Sequence, residues 1–233
     1  MAALEIRIQR HPRRLRPLLL ALVVGALLGT GCSVTDDGYT YVNNAGENLF
    51  FKLPDDWKKY PVTQAAITDR PAPISGSSGR WAVEFDGAAK PDRDHLSEPI
   101  TGSPVGFSEA YALSRTGQDA VNEKALRSLV VQEVLGEVQD PLDLVNDVPD
   151  RFEIVDYKQI RNKQGVWGSK IIVNILLDTD TGEEPQWLTI GQKVYLDRSA
   201  QTLRRLVVRC SSACYRTNRS KLDTVLNSFA FRP

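Results

Sequence analysis

Histidine, cysteine and methionine are scarce in this chain, which has two, three and one of them among its 233 residues. A Ser–His or Cys–His hydrolase needs a base beside its nucleophile, and a structural zinc site needs four nitrogen or sulfur ligands. One histidine is His11, close to the N-terminus, and we interpret the other, His95 in an Asp-Arg-Asp-His loop, as a surface residue. The motifs of serine hydrolases, phosphate-binding loops and zinc proteases are also missing. We therefore expect no enzyme, no metal site and no cofactor.

Long apolar runs are equally scarce, because residues 18–31 form the single one. This run has 14 residues without a charge, whereas a membrane-spanning helix needs roughly 20. Basic residues precede it, namely Arg10, Arg13, Arg14 and Arg16, and Cys32 follows it. A basic segment, a short apolar run and small residues are typical of a cleaved secretory leader. The stretch resembles the lipobox of bacterial prelipoproteins, although Gly29 stands where leucine is commonest.

That resemblance implies cleavage between Gly31 and Cys32 and attachment of a diacylglycerol to the Cys32 sulfur. The alternative is an uncleaved anchor with a chance cysteine. We expect residues 1–31 to be a signal peptide, residues 32–46 a lipidated N-terminus with a flexible tether, and residues 47–233 a single α+β extracytoplasmic domain. The expected location is the outer face of the cell membrane, with the lipid as the contact to the membrane.

An excess of positive charge is absent as well. Without residues 1–31, 24 basic and 28 acidic residues remain, a formal charge of −4. General nucleic-acid binding favours strongly basic domains, so we expect no nucleic-acid partner. A chain of this length is enough for one good hydrophobic core.

Two cysteines remain once Cys32 is assigned to lipid, and they stand close together as Cys210-Ser-Ser-Ala-Cys214. Outside the cytoplasm such a pair is typically oxidised. A redox pair is more often spaced by two residues, and a metal site lacks further ligands nearby. We expect a local structural disulfide, with free thiols as the main alternative.

Strand and helix patterns follow one another along residues 47–233 and predict an α+β fold. An amphipathic helix follows Asp119 or Asn122, either of which can cap it, and a second, capped by Asn218 or Ser220, ends the chain. Between them, strands at 152–160, 171–177, 187–196 and 203–210 are separated by short turns. The last three predict a C-terminal three-stranded antiparallel meander. Residues 48–53, 80–85 and 106–113 predict three earlier strands, while 69–79 and 87–104 read as loops.

This order of elements resembles the PsbP-like fold. The phrase from Phe51 to Trp57 is similar to that family's opening corner of a strand, a proline and a tryptophan, and Ser228-Phe-Ala-Phe231 is similar to its closing motif. The segment from Val207 to Tyr215 is similar to one in secreted lipoproteins of high-GC Gram-positive bacteria. The resemblance implies an antiparallel sheet flanked by helices and a binding or assembly role, with no catalytic residues to carry over.

Charge is unevenly distributed in the C-terminal half. Residues 198–222 contain seven basic and no acidic side chains, whereas residues 133–156 contain eight acidic side chains against one arginine. The basic stretch predicts a possible contact surface for anionic headgroups or wall polymers, formed by Arg204, Arg205, Arg209, Arg216, Arg219 and Lys221. The alternative is that both stretches are solvated faces or pair with each other.

Two functions from different classes remain. The first is a non-catalytic interaction or assembly module that holds protein partners at the cell surface. The second is a carrier or receptor for a small apolar or anionic ligand, whose identity the sequence leaves open. The four tryptophans, at 57, 81, 167 and 187, are either core residues or the lining of a binding groove.

Overall fold

The computed structural model describes residues 38–70, 72–162, 165–178 and 184–232. The predicted signal peptide, its cleavage site and Cys32 lie outside these residues. The strands are β1 Tyr39–Asn44, β2 Leu49–Pro54, β3 Lys58–Pro61, β4 Ser77–Asp86, β5 Val105–Leu113, β6 Phe152–Arg161, β7 Trp167–Leu177, β8 Gln186–Leu196, β9 Thr202–Ser211 and β10 Ala230–Phe231. The α helices are α1 Gln64–Thr68, α2 Arg115–Ala120, α3 Glu123–Leu135, α4 Pro141–Asp147 and α5 Ser212–Ser228, and a 3-10 turn covers Asp94–Leu96.

The strands form two antiparallel sheets. Seven of them make the main sheet in the order β3-β4-β5-β9-β8-β7-β6, and β1, β2 and β10 make a small one. Because β6, β7, β8 and β9 are neighbours in both sequence and space, the predicted meander is present and includes a fourth strand. The α+β, antiparallel fold class is thus confirmed.

Helices and the small sheet cover the two faces of the main sheet. On one face, which we call the α5 face, α5 and the small sheet pack around Phe51, Phe85 and Phe229. On the other, the α3 face, α3 packs over β7, β8 and β9. Neighbouring side chains of a strand point to opposite faces. Thus Leu206 and Val208 of β9 pack on the α5 face, whereas Val207 lies on the α3 face.

Capping side chains determine where the two longer helices begin. The Asn122 side chain accepts a hydrogen bond from the Ala125 amide, so the sequence located the start of α3 correctly. The start predicted for α5 is wrong. The Ser211 hydroxyl caps that helix by accepting from the Cys214 amide, seven residues before the predicted cap Asn218. Cys210 is the second-last residue of β9, Cys214 lies in the first turn of α5, and the predicted disulfide joins them.

Two other boundaries differ from those expected, and one helix, α4, was not predicted. Residues 39–44 form β1, paired with β2, so that part of the expected tether belongs to the folded domain. β4 begins at Ser77, inside the predicted loop. The segment after Gln139 forms α4, because Asp140 caps it and Pro141 occupies its first turn, where proline is favoured. None of the helices in the described residues is long and apolar enough to cross a membrane.

Candidate functional site

A charged cleft of about 440 Å³ opens on the α3 face. Its floor is formed by β5 and β9, and its walls by α3 and the segment that follows α1. We call it the Arg205 cleft, after its most buried cation. Its charged lining consists of Arg70, Glu84, Glu109, Glu133, Arg205 and Arg209.

Ion pairs connect the charged groups across four elements. Arg205 donates to Glu109 Oε2 at 2.9 Å and to Glu133 Oε2 at 3.1 Å. Arg70 donates to Glu109 Oε1 at 3.0 Å and also pairs with Glu84. The Glu109 side chain is 3% exposed, so its charge depends on these partners and on the hydroxyl of Tyr111, which donates to it at 2.9 Å.

The two carboxylates that contact Arg205 have opposite pKa shifts. Burial alone raises the pKa of Glu109, but the charge and hydrogen bonds of Arg205, together with Tyr111 and Arg70, hold that pKa below its usual range. Burial also raises the pKa of Glu133, and there Arg205 offsets the effect only in part, so the pKa stays raised. Two carboxyl groups, one with a raised pKa and one with a lowered pKa, can serve as the acid and the base of a reaction. Here, however, both are tied to the same guanidinium, and the three cations balance the three anions.

The predicted basic surface does not form as one patch. Arg204 and Arg205 are consecutive residues of β9, so their side chains lie on opposite faces of the sheet. Arg204 is 7% exposed, donates to the carbonyl of Glu47 and stacks over Phe231. Arg209 donates to main-chain carbonyls at 96, 98 and 99. Arg204 and Arg205 are therefore committed to partners inside the fold, and Arg205 pairs with Glu133 of the acidic stretch, which is the alternative that the sequence left open. An anionic contact of the partly buried Arg209 stays a prediction.

The other three predicted basic residues lie on α5. Arg216 is exposed, Arg219 pairs with Asp223 at 3.6 Å, and Lys221 pairs with Asp56 at 3.0 Å. Arg219 and Lys221 are thus partly neutralised by neighbouring carboxylates. Exposed pairs of this kind contribute little stability, about 0–1 kcal/mol each.

An apolar and acidic surface surrounds α4. Four large apolar side chains there are exposed, namely Leu135, Val138, Leu142 and Val148, and Val138 is the most accessible at 66%. Exposed carboxylates accompany them, namely Glu137, Asp143, Asp147 and Asp150. Apolar patches rimmed by polar groups are typical of interaction sites. We call this region the α4 surface. Sequence reasoning found its acidity but missed its apolar side chains, because α4 was not recognised as a helix.

His95 is half-buried rather than a free surface residue. Its Nδ1 lies 2.7 Å from Oδ2 of the fully buried Asp86, which also accepts from the amides of Ala88 and Asp92. The hydrogen bond that the His95 ring donates to the Asp86 carboxylate raises the pKa of His95. This pair ties the loop after β4 to the strand, and no group of three or more metal-ligand side chains occurs in the described part of the chain.

The tryptophans do not line one common groove. Trp57 is 6% exposed and stacks on Phe85 in the core of the α5 face. Trp81 and Trp167 are partly buried, and Trp187 is 36% exposed. Trp57 is therefore a core residue, as one of the two readings of the sequence expected.

Sequence comparison finds no matching family model and no matching curated protein. Among solved structures, PsbP (CyanoP) of Synechocystis sp. PCC 6803 matches 88% of this chain and 99% of its own, at 14% identity and a TM-score of 0.50. LpqN, involved in cell envelope biogenesis of Mycobacterium tuberculosis, matches 84% and 91% at 12% identity and a TM-score of 0.41. The Saccharomyces cerevisiae Ran-binding protein Mog1p matches 83% and 95% at 10% identity and 0.41. The likeness to CyanoP, together with the antiparallel sheet and its flanking helices, shows that this chain has a PsbP-like fold.

Proposed function

We propose that this chain is a lipid-anchored, extracytoplasmic interaction module that holds a protein partner at the cell surface and performs no catalysis. The α4 surface carries the proposal. Its apolar side chains remain exposed although neighbouring α3 is packed into the core, and carboxylates surround them. A partner segment with an apolar side chain between basic residues complements both features.

The Arg205 cleft supports a role in assembly more than one in chemistry. Its cations and carboxylates pair with each other, which leaves few groups free to act on a substrate. The network instead joins β4, β5, β9 and α3 and so keeps α3, which leads into α4, fixed on the sheet. The charged lining of this cleft also disfavours the apolar-ligand form of the carrier hypothesis.

Photo-crosslinking in living cells tests the partner surface. A photoreactive amino acid at Val138 is expected to give a discrete protein adduct, and the substitution Leu142→Glu is expected to remove it. The same amino acid at Thr217, exposed on α5, serves as the matched control. Equal adducts from both positions, or an adduct that Leu142→Glu leaves unchanged, would contradict the proposed surface.

The anchor needs a separate experiment because Cys32 lies outside the described residues. Cells that express the wild-type chain and the Cys32→Ala variant are grown with labelled fatty acid. We expect label in the wild type and none in the variant, and we expect the variant to keep its uncleaved leader. Label in Cys32→Ala would show that the lipid attachment is misassigned.

A further inference from the structure

Three lysines lie side by side across the strands β6, β7 and β8. Lys158 is directly opposite Lys170, and Lys170 is directly opposite Lys193. Residues opposite each other on neighbouring strands share a face of the sheet. Ile160, Ile172 and Tyr195, each two residues further along, pack in the cluster beneath α5. The lysine row therefore lies on the α5 face.

A cleft of about 320 Å³ opens over this row, beside the C-terminal end of α5. We call it the lysine cleft. The three lysines line it together with Gln159, Ile160, Arg161, Tyr195 and Asn227. Burial increases along the row. Lys158 is exposed, the Lys170 side chain is 13% exposed, and Lys193 is 9% exposed.

The hydrogen bonds and ion pairs of the three lysines do not neutralise the positive charge of the row. The Lys193 ammonium donates to the carbonyls of Asn227 at 3.1 Å and Phe229 at 2.9 Å, and these neutral acceptors do not cancel its charge. Lys170 pairs with Asp156 at 3.3 Å. Lys158 has no ion-pair or hydrogen-bond partner for its side chain within the residues described. With Asp156 included, the row has a net charge of about +2 when all three lysines are protonated.

Other charged groups around the cleft do not offset this surplus. Arg161 interacts electrostatically with Glu123 at the start of α3. On α5, Arg219 and Asp223 pair with each other. Like charges directly opposite on neighbouring strands are destabilising. In accordance with this, burial and the charges of Lys170 and Lys158 lower the pKa of Lys193 to about 8. The arrangement costs stability unless an anion occupies the cleft.

We propose that the lysine cleft binds a phosphate group, held by the ammonium groups of Lys158, Lys170 and Lys193. A doubly charged phosphate matches the net charge of the row, and three adjacent ammonium donors can reach different oxygens of one phosphate. The dianion is available from free phosphate or a phosphate monoester, whereas the phosphodiester of a lipid headgroup carries a single negative charge and would neutralise the row only in part. The proposal goes beyond the partner surface around α4 and does not depend on it.

Calorimetry on the full chain in neutral detergent tests the site with two probes. Inorganic phosphate represents the free or monoester source, and glycerophosphoglycerol represents a lipid headgroup without its acyl chains. Saturable binding of phosphate alone identifies the first source, and saturable binding of glycerophosphoglycerol identifies the second. Either result supports the proposal if it depends on the lysine row, and the absence of saturable binding of both probes overturns it.

Lys158→Gln is the informative variant because Lys158 is exposed and its loss leaves no buried group without a partner. We expect it to weaken binding by about tenfold or more, which corresponds to about 1.4 kcal/mol. Lys90→Gln is the matched control, since Lys90 is an exposed lysine in the loop after β4, a strand near the edge of the main sheet that is opposite to β6. Equal affinities of wild type and Lys158→Gln, or equal losses in both variants, would overturn the proposal.

The role of Lys193 is tested by chemical labelling instead of substitution, because its replacement would leave the carbonyls to which it donates without that hydrogen-bond donor. Acetylation of the wild-type protein at about pH 8, followed by mass spectrometry, reports the accessibility of each lysine. Bound phosphate is expected to slow the modification of Lys193 and Lys158 and to leave Lys90 unaffected. Rates that do not respond to phosphate would count against the site. Neither outcome bears on the crosslinks from Val138, so the two proposals can fail separately.

Discussion

Arg205→Met is the substitution that tests the Arg205 cleft most directly. The Arg205 side chain is 8% exposed and holds both Glu109 and Glu133, and methionine keeps its apolar stem while it removes the charge. Glu109, 3% exposed, then keeps Arg70 and Tyr111 but loses its most buried cation. Loss of one partner of a buried ion pair costs about 3–5 kcal/mol, so we expect the free energy of unfolding at pH 7 to fall by about 3 kcal/mol or more.

The dependence on pH follows from the pKa of Glu109. In the folded wild type the pKa of Glu109 is held below its pKa in the unfolded chain, which is about 4.3. The ionised Glu109 therefore stabilises the protein above about pH 4.3, and this stabilisation is lost as pH falls through the folded pKa. In Arg205→Met, burial is expected to raise the folded pKa above the unfolded one. The loss of stability relative to the wild type should then shrink as pH falls from 7 towards 5, because protonation of Glu109 removes the uncompensated buried charge only in the variant.

Urea unfolding followed by tryptophan fluorescence measures these free energies between pH 5 and pH 8. Arg216→Met is the control, because Arg216 is exposed on α5 and such changes usually stay within about 0.5 kcal/mol. The double variant Arg205→Met, Glu109→Gln should recover part of the free energy of unfolding that Arg205→Met loses, since the buried side chain at position 109 no longer carries a charge. The reasoning is refuted if Arg205→Met loses no more than Arg216→Met, or if Glu109→Gln recovers nothing.

Two further predictions concern His95 and the disulfide. Because the hydrogen bond to the Asp86 carboxylate raises the pKa of His95, this pair should add stability that is complete below the unfolded pKa of about 6.5 and is lost as pH rises through the folded pKa. His95→Gln should flatten that part of the urea-unfolding profile, and an unchanged profile would exclude the pair as its cause. Reduction of Cys210–Cys214 should lower the free energy of unfolding by about 2 kcal/mol at most, because the bond closes a loop of five residues. Chemical unfolding with and without reductant measures this, and a much larger loss would show that the bond does more than restrict the unfolded chain.

Strands with apolar residues on both faces were the most predictable elements. The segment Ile171–Leu177 is apolar except for Asn174 and lies in the interior strand β7, between β6 and β8. In β9 the same two-sided burial misled the charge analysis. Arginines in a basic stretch suggest a solvated face, but a strand buried on both sides must pair its arginines inside the protein. Because α5 and α3 cover the two faces of β9, the side chains of Arg204 and Arg205 are buried and pair inside the protein. The local sequence of β9 does not show that these helices pack against it.

The Arg205 cleft could not be predicted from sequence. Glu109 and Arg205 are 96 residues apart, and they meet because β5 pairs with β9 across the sheet. Long-range pairing of this kind depends on the order of the strands, which local patterns do not specify. The lysine cleft is a similar case. Lys158 and Lys170 lie four and five residues from the turn residues 162–165, and Lys170 and Lys193 lie eight and eleven residues from the turn residues 178–182. Because a slip of one residue moves a side chain to the other face of the sheet, these unequal distances did not specify that the three lysines face one another.

The position of β6 explains why the two proposed surfaces can work independently. β6 is the edge strand of the main sheet, and α4 packs against its α3 face, whereas Lys158 lies on its α5 face. A partner on the α4 surface and an anion in the lysine cleft therefore approach from opposite sides of one strand. Exposed edge strands also risk pairing with other chains, and a charged side chain such as Lys158 on the edge discourages this. Lys158→Gln separates the two roles, because loss of edge protection would increase self-association without phosphate, whereas loss of the anion site would weaken binding and leave the oligomeric state unchanged.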